Sequence, residues 1–312
     1  MSKKLVALLS SVLLVGAMLT ACTAGSTTGG AGPKIAVVMS HLSNSFTTTV
    51  ADAAKRKGAE LGLRVTVFDG KKDAATQLGQ IESAVAQGYD GILVEPVSQE
   101  GIAPALKAAD DADVPIGTII QQARQQERAA FYVGGDDAAA GKLEMEKAIE
   151  AIGGSGSVAV LLGPMGSDGQ VQRSNGYTQV LEGSPGVELV AEQTGNWDTA
   201  EALKVTENWL SSGRGIDAIV AQNDSMAIGA LKALSNAGRQ DIKVFGVDAT
   251  DDGIASIKSG GMVGTVSQDT AGMGALAVET LAKKMNGEQV EAINFTQATW
   301  VTKENADTFA GT

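Results

Sequence analysis

Cysteine and histidine are almost absent from this sequence, which contains one of each in 312 residues, Cys22 and His41. A chain with a single cysteine cannot form an internal disulfide. A Ser-His-Asp or Cys-His catalytic site would have to use His41, and Ser40 and Ser43 are its neighbours only in sequence. Residues 248–253 lack the spacing of a calcium-binding loop. The sequence therefore predicts neither an enzyme nor a metal site.

Basic residues are also scarce, since 24 Lys and Arg stand against 36 Asp and Glu and give a formal net charge of −12. A surface this acidic does not bind nucleic acid through its phosphates, and solubility explains the charge. The glycine-rich segment 153–156 precedes a predicted strand instead of following one, and residues 135–142 lack the spacing of a phosphate-binding loop. We therefore expect no cofactor and no nucleic-acid partner.

Long hydrophobic runs are confined to the N-terminus. Lys3 and Lys4 precede the apolar run Leu5–Leu19, which is too short to span a bilayer comfortably and has the length of a signal-peptide core. The run ends in Leu19-Thr20-Ala21-Cys22, which looks like a bacterial lipobox. We predict a lipoprotein signal peptide at residues 1–21 and lipid attachment at Cys22. The alternative is an ordinary signal peptide in which the cysteine is incidental.

Residues 22–33 are mostly Gly, Ser, Thr and Ala, the composition of a flexible tether with nothing to bury. With the lipid, this predicts an extracytoplasmic protein, anchored to the outer face of the cell membrane or in the periplasm. The lipid would be its only membrane contact. The body begins at Lys34 and leaves about 280 residues, enough for two medium-sized domains.

The body alternates short apolar runs with amphipathic stretches. Runs such as Ile35–Met39 and Val158–Leu162 are apolar throughout, which predicts strands that are covered on both faces. A repeated strand-helix order with short joints indicates parallel sheets with helices on both sides, and this order occurs twice. The predicted fold class is α/β, with two similar doubly wound parallel-sheet domains. A final strand is predicted as one run, Ile293–Thr302.

Ligands of open α/β sheets bind at the carboxyl ends of the strands. Polar residues follow the predicted strands in both halves: Ser40, His41, Ser43, Asn44, Asp69, Glu95, Gln121, Gln122, Ser167, Asp168, Gln170, Asn196, Asp198, Gln222, Asn223, Asp224, Asp248, Gln268 and Asp269. The chain has only six Phe, three Trp and three Tyr, yet Phe46 and Trp197 both fall at strand ends. Amides and carboxylates bind hydroxyl groups, and an aromatic face packs on a sugar ring. This set suits a sugar buried in a cleft.

Helix capping is the competing explanation for several of these residues. Asp198 has capping-box spacing, Asp224 directly precedes a predicted helix, and Asn44 could begin another. Asp248 is harder to explain in this way, because residues 251–252 are better placed to cap the helix that follows.

Five segments carry a resemblance to the type I periplasmic binding proteins, and especially to their ribose-binding branch. These segments are Leu42–Phe46, Asn196–Asp198, Ala221–Leu231, Gly246–Asp248 and Thr265–Gln268. The order Gln-Asn-Asp-x-Met-Ala-x-Gly-Ala within the third segment is the most specific of these signals. The resemblance extends from about Lys34 to Thr302, nearly the whole body.

The resemblance implies that Phe46 and Trp197 sandwich the ligand in a cleft between two domains. The ligand-binding residues that it implies are Asn44, Phe46, Gln121, Trp197, Asn223, Asp248 and Gln268, with His41, Thr47, Ile120 and Val171 as the next candidates. It also implies a hinge of three chain crossings, near residues 135–136, 268–269 and 296–299. The N-terminal domain would then comprise residues 34–135 plus 269–295, and the C-terminal domain residues 136–268 plus 296–312.

The sequence departs from the ribose-binding branch at two places. Ile120-Gln121 stands where that branch typically has Asp-Arg, and Val171 stands where an arginine reads the ligand. Arg173 is interpreted as structural, so the pocket is expected to lack an arginine. This predicts a neutral monosaccharide or sugar alcohol and argues against sugar phosphates.

The partners implied by the resemblance are this small neutral ligand and the permease of an ABC transporter, with the binding protein itself a monomer. The alternative is a receptor that presents its ligand to a membrane sensor, in chemotaxis or to a sensor kinase. A sugar-responsive repressor would carry a DNA-binding helix pair where this chain has its predicted signal peptide and tether.

Lipid attachment predicts that Cys22→Ser releases the protein from the membrane or leaves it unprocessed, because no other membrane contact is expected. Metabolic lipid labelling and cell fractionation in the native host check this, with wild type as the control. A wild-type protein without label at Cys22 would contradict the prediction.

Overall fold

A computed structural model describes residues 32–309 of the protein. The predicted signal peptide, Cys22 and the tether as far as residue 31 lie outside the described residues. No helix within the described part of the chain is both long and apolar enough to cross a membrane.

Strands and helices alternate along most of the described chain. In chain order they are β1 (Lys34–Met39), α1 (Ser45–Glu60), β2 (Arg64–Asp69), α2 (Ala74–Ala86), β3 (Gly91–Val94), α3 (Ala103–Asp110), β4 (Ile116–Ile119), β5 (Tyr132–Gly134), α4 (Asp137–Ala151), β6 (Gly156–Leu162), α5 (Asp168–Glu182), β7 (Val187–Thr194), α6 (Thr199–Ser211), β8 (Ala218–Ala221), α7 (Asp224–Ala237), β9 (Lys243–Asp248), α8 (Asp251–Ser259), β10 (Gly264–Gln268), α9 (Thr270–Met285), β11 (Ile293–Phe295) and β12 (Ala298–Val301).

The strands form two six-stranded sheets of matching order. The sheet of the first lobe runs β11-β5-β4-β3-β1-β2, and that of the second lobe runs β12-β10-β9-β8-β6-β7. All pairings are parallel except that of β12 with β10. Two doubly wound α/β units are therefore present, and the predicted fold class is confirmed.

Both faces of each sheet are covered, which explains the uninterrupted apolar strands. In β1, Ile35, Val37 and Met39 pack with the helices α1 and α9, whereas Ala36 and Val38 pack on the opposite face with α2 and α3. All five of these residues are fully buried. An alternating polar pattern would place polar side chains in one of the two cores, where each unpaired group costs free energy.

The chain passes between the lobes three times, at residues 135–136, 268–269 and 296–297, where successive elements belong to different sheets. The prediction of one final strand, Ile293–Thr302, is wrong. β11 is parallel to β5 and ends at the cleft, so the chain enters the second lobe at the carboxyl edge of its strands. A strand that starts from that edge must run antiparallel to β10, as β12 does.

Glycines let neighbouring helices approach closely. A Cβ on Gly141 of α4 would lie 2.4 Å from the backbone oxygen of Arg173 in α5, and one on Gly176 would lie 2.4 Å from that of Ala138. Gly274 of α9 and Gly229 of α7 meet the neighbouring helices in the same way. The α4–α5 contact matters for the site described below, because α5 carries Arg173.

Gly141→Ala is expected to lower the free energy of unfolding by about 1–3 kcal/mol, because the added methyl group meets backbone that cannot move aside. Urea denaturation of the mature protein measures this effect. Gly79→Ala is the matched control, since no atom lies near a Cβ at this exposed position of α2. It should raise stability by up to about 1 kcal/mol. Equal effects at both positions would contradict the packing argument.

Candidate functional site

A cavity lies where the carboxyl ends of the strands of the two sheets face each other, with about 370 Å³ of unfilled space that includes its opening to solvent. We call it the interlobe cavity. Its lining comprises His41, Asn44, Phe46, Thr47, Glu95, Ile120 and Gln121 from the first lobe, and Asp137, Gly169, Arg173, Trp197, Asn223 and Asp248 from the second. A larger, open groove beside Asp90, Asp113 and Lys284 lies at the amino ends of the first lobe's strands, away from this edge.

The side chains on the first-lobe wall are held by hydrogen bonds. His41 Nδ1 lies 2.8 Å from Ser40 Oγ, and its Nε2 lies 3.2 Å from Asn44 Nδ2. Burial, together with the nearby Lys72, lowers the pKa of His41 to about 4, so the ring is neutral at physiological pH. Asn44 also caps α1 through its Oδ1, which accepts from the Thr47 N–H at 3.0 Å. Capping and cavity lining are therefore compatible in Asn44.

Glu95 supports the first-lobe wall through its buried carboxyl group, which accepts hydrogen bonds from two neighbouring residues. Its carboxyl accepts from the Ser40 N–H at 3.0 Å and from Gln121 Nε2 at 3.4 Å. Burial raises the pKa of Glu95 to about 7, although these donors act in the opposite direction. The position of the Gln121 amide in the cavity thus depends on a buried carboxyl group.

Arg173 organises the second-lobe wall. Its Nη2 lies 2.7 Å from Asp137 Oδ1, its Nη1 donates to the Gln222 carbonyl oxygen, and its guanidinium carbon lies 5.5 Å from the centre of the Trp197 ring. Burial alone would lower the pKa of Arg173, but the carboxylates of Asp137 and Asp248 outweigh it and raise the pKa. The guanidinium therefore stays charged while it is buried. The expectation of a pocket without an arginine is wrong, because Arg173 is both structural and part of the lining.

Asp248 ends β9 at the cavity with few protein partners. Gln268 Nε2 donates to its Oδ1 at 3.0 Å. Burial raises the pKa of Asp248 well above its usual value, and Arg173 acts in the opposite direction. Asn223 lies on the same wall and, like Asn44 in the first lobe, caps its helix by accepting from the Met226 N–H at 2.9 Å. Both walls thus present a helix-capping asparagine to the cavity.

Backbone strain is concentrated at this edge. Ile120, Trp197 and Asp248 have φ values of 67°, 57° and 124°, in a region that residues other than glycine rarely occupy. All three line the cavity. Such strain persists only where the surroundings impose it, and it tends to occur at binding sites. The Trp197 ring packs directly against Gly163, and any larger residue there would displace it, because a Cβ would lie 2.1 Å from the ring.

The structure brings most of the predicted ligand-binding residues together. Nine of them line the cavity: His41, Asn44, Phe46, Thr47, Ile120, Gln121, Trp197, Asn223 and Asp248. Gln268 does not line it and instead donates to Asp248. Val171 lies half-buried on α5, also outside the lining. The ligand contacts themselves stay predictions.

Four lining residues were not predicted from the sequence: Glu95, Asp137, Gly169 and Arg173. Glu95 was recognisable as a polar residue at a strand end. Asp137 is the first residue of α4, directly after the crossing at residues 135–136. Its place in the cavity lining depends on how α4 packs against α5, which the sequence does not show. The sequence also contained a sign that Arg173 has a special role, because it is the only basic residue of α5.

The capping interpretations are correct for Asn44 and Asp198 and wrong for Asp224. Asp198 accepts from the N–H groups of the first turn of α6. Asp224 instead accepts from Thr250 and Thr265 as a fully buried carboxylate. Thr250, not residues 251–252, caps α8.

The described residues contain no group of His, Cys, Asp and Glu side chains that could hold a metal ion. What the cavity offers is amide, hydroxyl, carboxyl and guanidinium groups beside two aromatic rings. A family model for a periplasmic binding protein domain matches residues 35–289.

The chain belongs to the periplasmic binding protein family. Within this family it is 34% identical to a xylitol-binding protein of Mycolicibacterium smegmatis, over 94% of this chain and 84% of that protein. It is also 34% identical to a ribose import binding protein of Haemophilus influenzae, over 93% and 96% of the two chains. A solved ABC transporter solute-binding protein from Bacillus halodurans with bound myo-inositol matches with a TM-score of 0.86 and 33% identity, over 90% of this chain and 99% of that one.

Two further carboxyl groups interact electrostatically with the site of this periplasmic binding protein. Burial raises the pKa of Asp224 to about 6 and that of Glu144 to about 8. Tyr177 donates to Glu144 Oε2, whereas Oε1 has no hydrogen-bond partner among the residues described. Glu144 is therefore uncharged at neutral pH in the folded protein.

The raised pKa of Glu144 predicts that its contribution to stability falls as pH rises. The contribution is fully present below the unfolded pKa of 4.5 and is lost as pH approaches about 8, because only the unfolded state ionises in between. Relative to wild type, Glu144→Gln should therefore gain stability with rising pH, by no more than about 1.4 kcal/mol per pH unit. Urea unfolding at several pH values across this window measures the slope.

The control is Glu207→Gln on the exposed surface of α6, which makes the same chemical change at a solvated carboxyl group. A difference between Glu144→Gln and wild type that stays constant with pH would contradict the prediction.

Proposed function

We propose that this protein is the extracytoplasmic substrate-binding lipoprotein of an ABC transporter, and that it binds a neutral monosaccharide or sugar alcohol in the interlobe cavity. The observation that carries the proposal is a cavity between the lobes to which each lobe contributes an aromatic ring and a helix-capping asparagine. The family membership supports extracytoplasmic binding as against catalysis. Lipid attachment at Cys22 and the permease as partner belong to the proposal.

The lining matches the chemistry of a polyhydroxylated ligand. The amide groups of Asn44, Gln121 and Asn223 can both donate and accept, and Asp248 can accept from two neighbouring hydroxyls. Phe46 and Trp197 lie on different lobes, so closure would hold the C–H faces of a ring or chain between them. A ligand buried in this way leaves few of its hydroxyls in water.

The charges of the cavity favour a neutral ligand. Arg173 is already engaged by Asp137, and Asp248 adds a second acidic group against this one guanidinium. An anionic ligand would find the one guanidinium of the lining already paired with Asp137, and its desolvation would go uncompensated. The preference for a neutral ligand therefore depends on how Arg173 is paired, and not on the absence of an arginine that the sequence suggested.

The relatives point to the same class of ligand. Two proteins similar to this chain are named for xylitol and ribose, and a third was solved with myo-inositol. Xylitol, ribose and myo-inositol are all neutral compounds that are rich in hydroxyl groups. We propose the same class here and leave the choice between linear and cyclic members to a binding screen.

The domain boundaries proposed for this function are residues 34–135 plus 269–295 and residues 136–268 plus 296–312. They agree with the sheet to which each strand belongs. Two helix contacts support this proposal, since α9 packs against α1 of the first lobe and α4 packs against α5 of the second.

A thermal-shift screen of the mature protein tests the function. The panel contains ribose, xylitol, myo-inositol, allose and other neutral sugars, with gluconate, ribose 5-phosphate and glucosamine as charged counterparts. A ligand at about one hundred times its Kd should add roughly 2.7 kcal/mol of stability. Binding of the phosphate or acid, or of the amine, without binding of any neutral compound would overturn the proposed ligand class.

Asp248→Ala is predicted to weaken binding of the best neutral ligand at least about tenfold, or about 1.4 kcal/mol, because the hydrogen bonds between its carboxyl group and ligand hydroxyls are lost. Titration calorimetry measures the affinity, and thermal melting shows whether the variant is folded. The control is Asp198→Ala, which removes a carboxylate that caps α6 outside the cavity. It should lower stability by about 1 kcal/mol with unchanged affinity. An Asp248→Ala variant that behaves like this control would contradict a ligand-binding role.

A further inference from the structure

Beside the interlobe cavity, the two lobes are joined by direct hydrogen bonds that converge on Asp168. The Gln122 N–H donates to Asp168 Oδ2 at 2.8 Å, and Gln99 Nε2 donates to Oδ1 at 2.6 Å. In return, the Asp168 N–H donates to Gln121 Oε1 at 3.0 Å. Asp168 is the first residue of α5 in the second lobe, whereas its three partners follow strands of the first lobe.

This contact is buried but lies outside the cavity lining. Only 1% of the Asp168 surface is exposed, and neither Asp168, Gln99 nor Gln122 lines the cavity. Burying a carboxylate is unfavourable unless hydrogen bonds compensate it, and here the first lobe supplies one to each oxygen. Opening of the cleft would break both of these bonds, as well as the bond from the Asp168 N–H.

Gln121 connects this contact to the cavity. Its Nε2 donates to Glu95 while its Oε1 accepts from Asp168, so one amide lines the cavity and also spans the two lobes. An amide held at both ends has a fixed orientation. The hydrogen bonds between the lobes therefore position a group that faces the ligand.

A second direct contact between the lobes is of a different kind. Lys72 Nζ donates to the backbone oxygen of Asn196 at 2.8 Å, and Lys72 is exposed to solvent. Hydrogen bonds of mobile, solvated side chains contribute little, because water replaces them at small cost. The buried Asp168 contact is thus the stronger of the two.

We propose that Asp168 with Gln99, Gln121 and Gln122 forms a latch that holds the cleft closed and sets ligand affinity without Asp168 touching the ligand. The effect on affinity depends on the proposed binding function, but the effect on closure does not. The latch gives the ligand-free protein a measurable closed population, and the observed affinity scales with that population.

Single-molecule energy transfer between dyes on the two lobes tests the latch in ligand-free protein. Replacing Cys22 with serine leaves no other cysteine, so cysteines introduced at Glu60 and Glu188 carry the dyes. We expect a closed fraction in the parent that falls about tenfold in Asp168→Asn and several-fold in Gln99→Ala. Gln87→Ala, whose amide bonds only Ser83 of its own helix, is the matched control and should match the parent.

The double variant separates a latch from two unrelated defects. Asp168→Asn and Gln99→Ala remove parts of the same contact, so their combined effect should be smaller than the product of the single effects. A closed fraction that is undetectable in the parent, or that Asp168→Asn leaves unchanged, would overturn the proposal.

Calorimetry with xylitol, ribose and myo-inositol provides the second readout. Asp168→Asn should weaken whichever of them binds by the same factor as it lowers the closed fraction. Failure of all three to bind the parent counts against the proposed function and leaves the energy-transfer result to decide the latch. Unchanged affinity beside a lowered closed fraction would show that the latch does not set affinity.

Discussion

The guanidinium of Arg173 is the group on which the second wall of the cavity depends. It contacts Asp137 at the start of α4, the carbonyl oxygen of Gln222 just after β8, and the ring of Trp197 after β7. No other side chain among the described residues connects these three segments in this way. Removal of one partner from a buried ion pair leaves an uncompensated charge, which is far more costly than the pair is stabilising. Asp137 and Trp197 thus keep their places through one residue, which the closely packed α4–α5 contact holds in position.

The first wall of the cavity also contains buried ionisable groups that depend on hydrogen-bond partners. His41 and Glu95 are both buried, and burial shifts the pKa of each toward its uncharged form. Ser40, Asn44 and Gln121 then satisfy them by hydrogen bonds. The ionisable groups of the first wall are shifted toward their uncharged forms, and the arginine of the second wall is paired with Asp137. This combination suits a ligand that carries dipoles but no net charge.

Much of this arrangement could be predicted before the structure was known. Continuous apolar runs such as that of β1 indicate strands covered on both faces, and the carboxyl ends of parallel strands necessarily share an edge. Asn44, Gln121, Trp197, Asn223 and Asp248 follow from that topology. Gln268 also stands at a strand end, but its side chain turns to Asp248 instead of the cavity, and periodicity carries no information about that choice.

The sequence by itself determined the two α/β lobes and the edge at which a ligand would bind, since both depend on hydrophobic pattern and chain direction, which are local properties. Only the tertiary structure decided that Arg173 lines the cavity, that Asp168 bonds across the cleft and that the final run divides at residues 296–297 into strands of different sheets. Arg173 and Asp137 are far apart in sequence, as are Asp168 and Gln99. Contacts between such distant residues depend on how helices and lobes pack, and no local pattern encodes the partner of a buried charge.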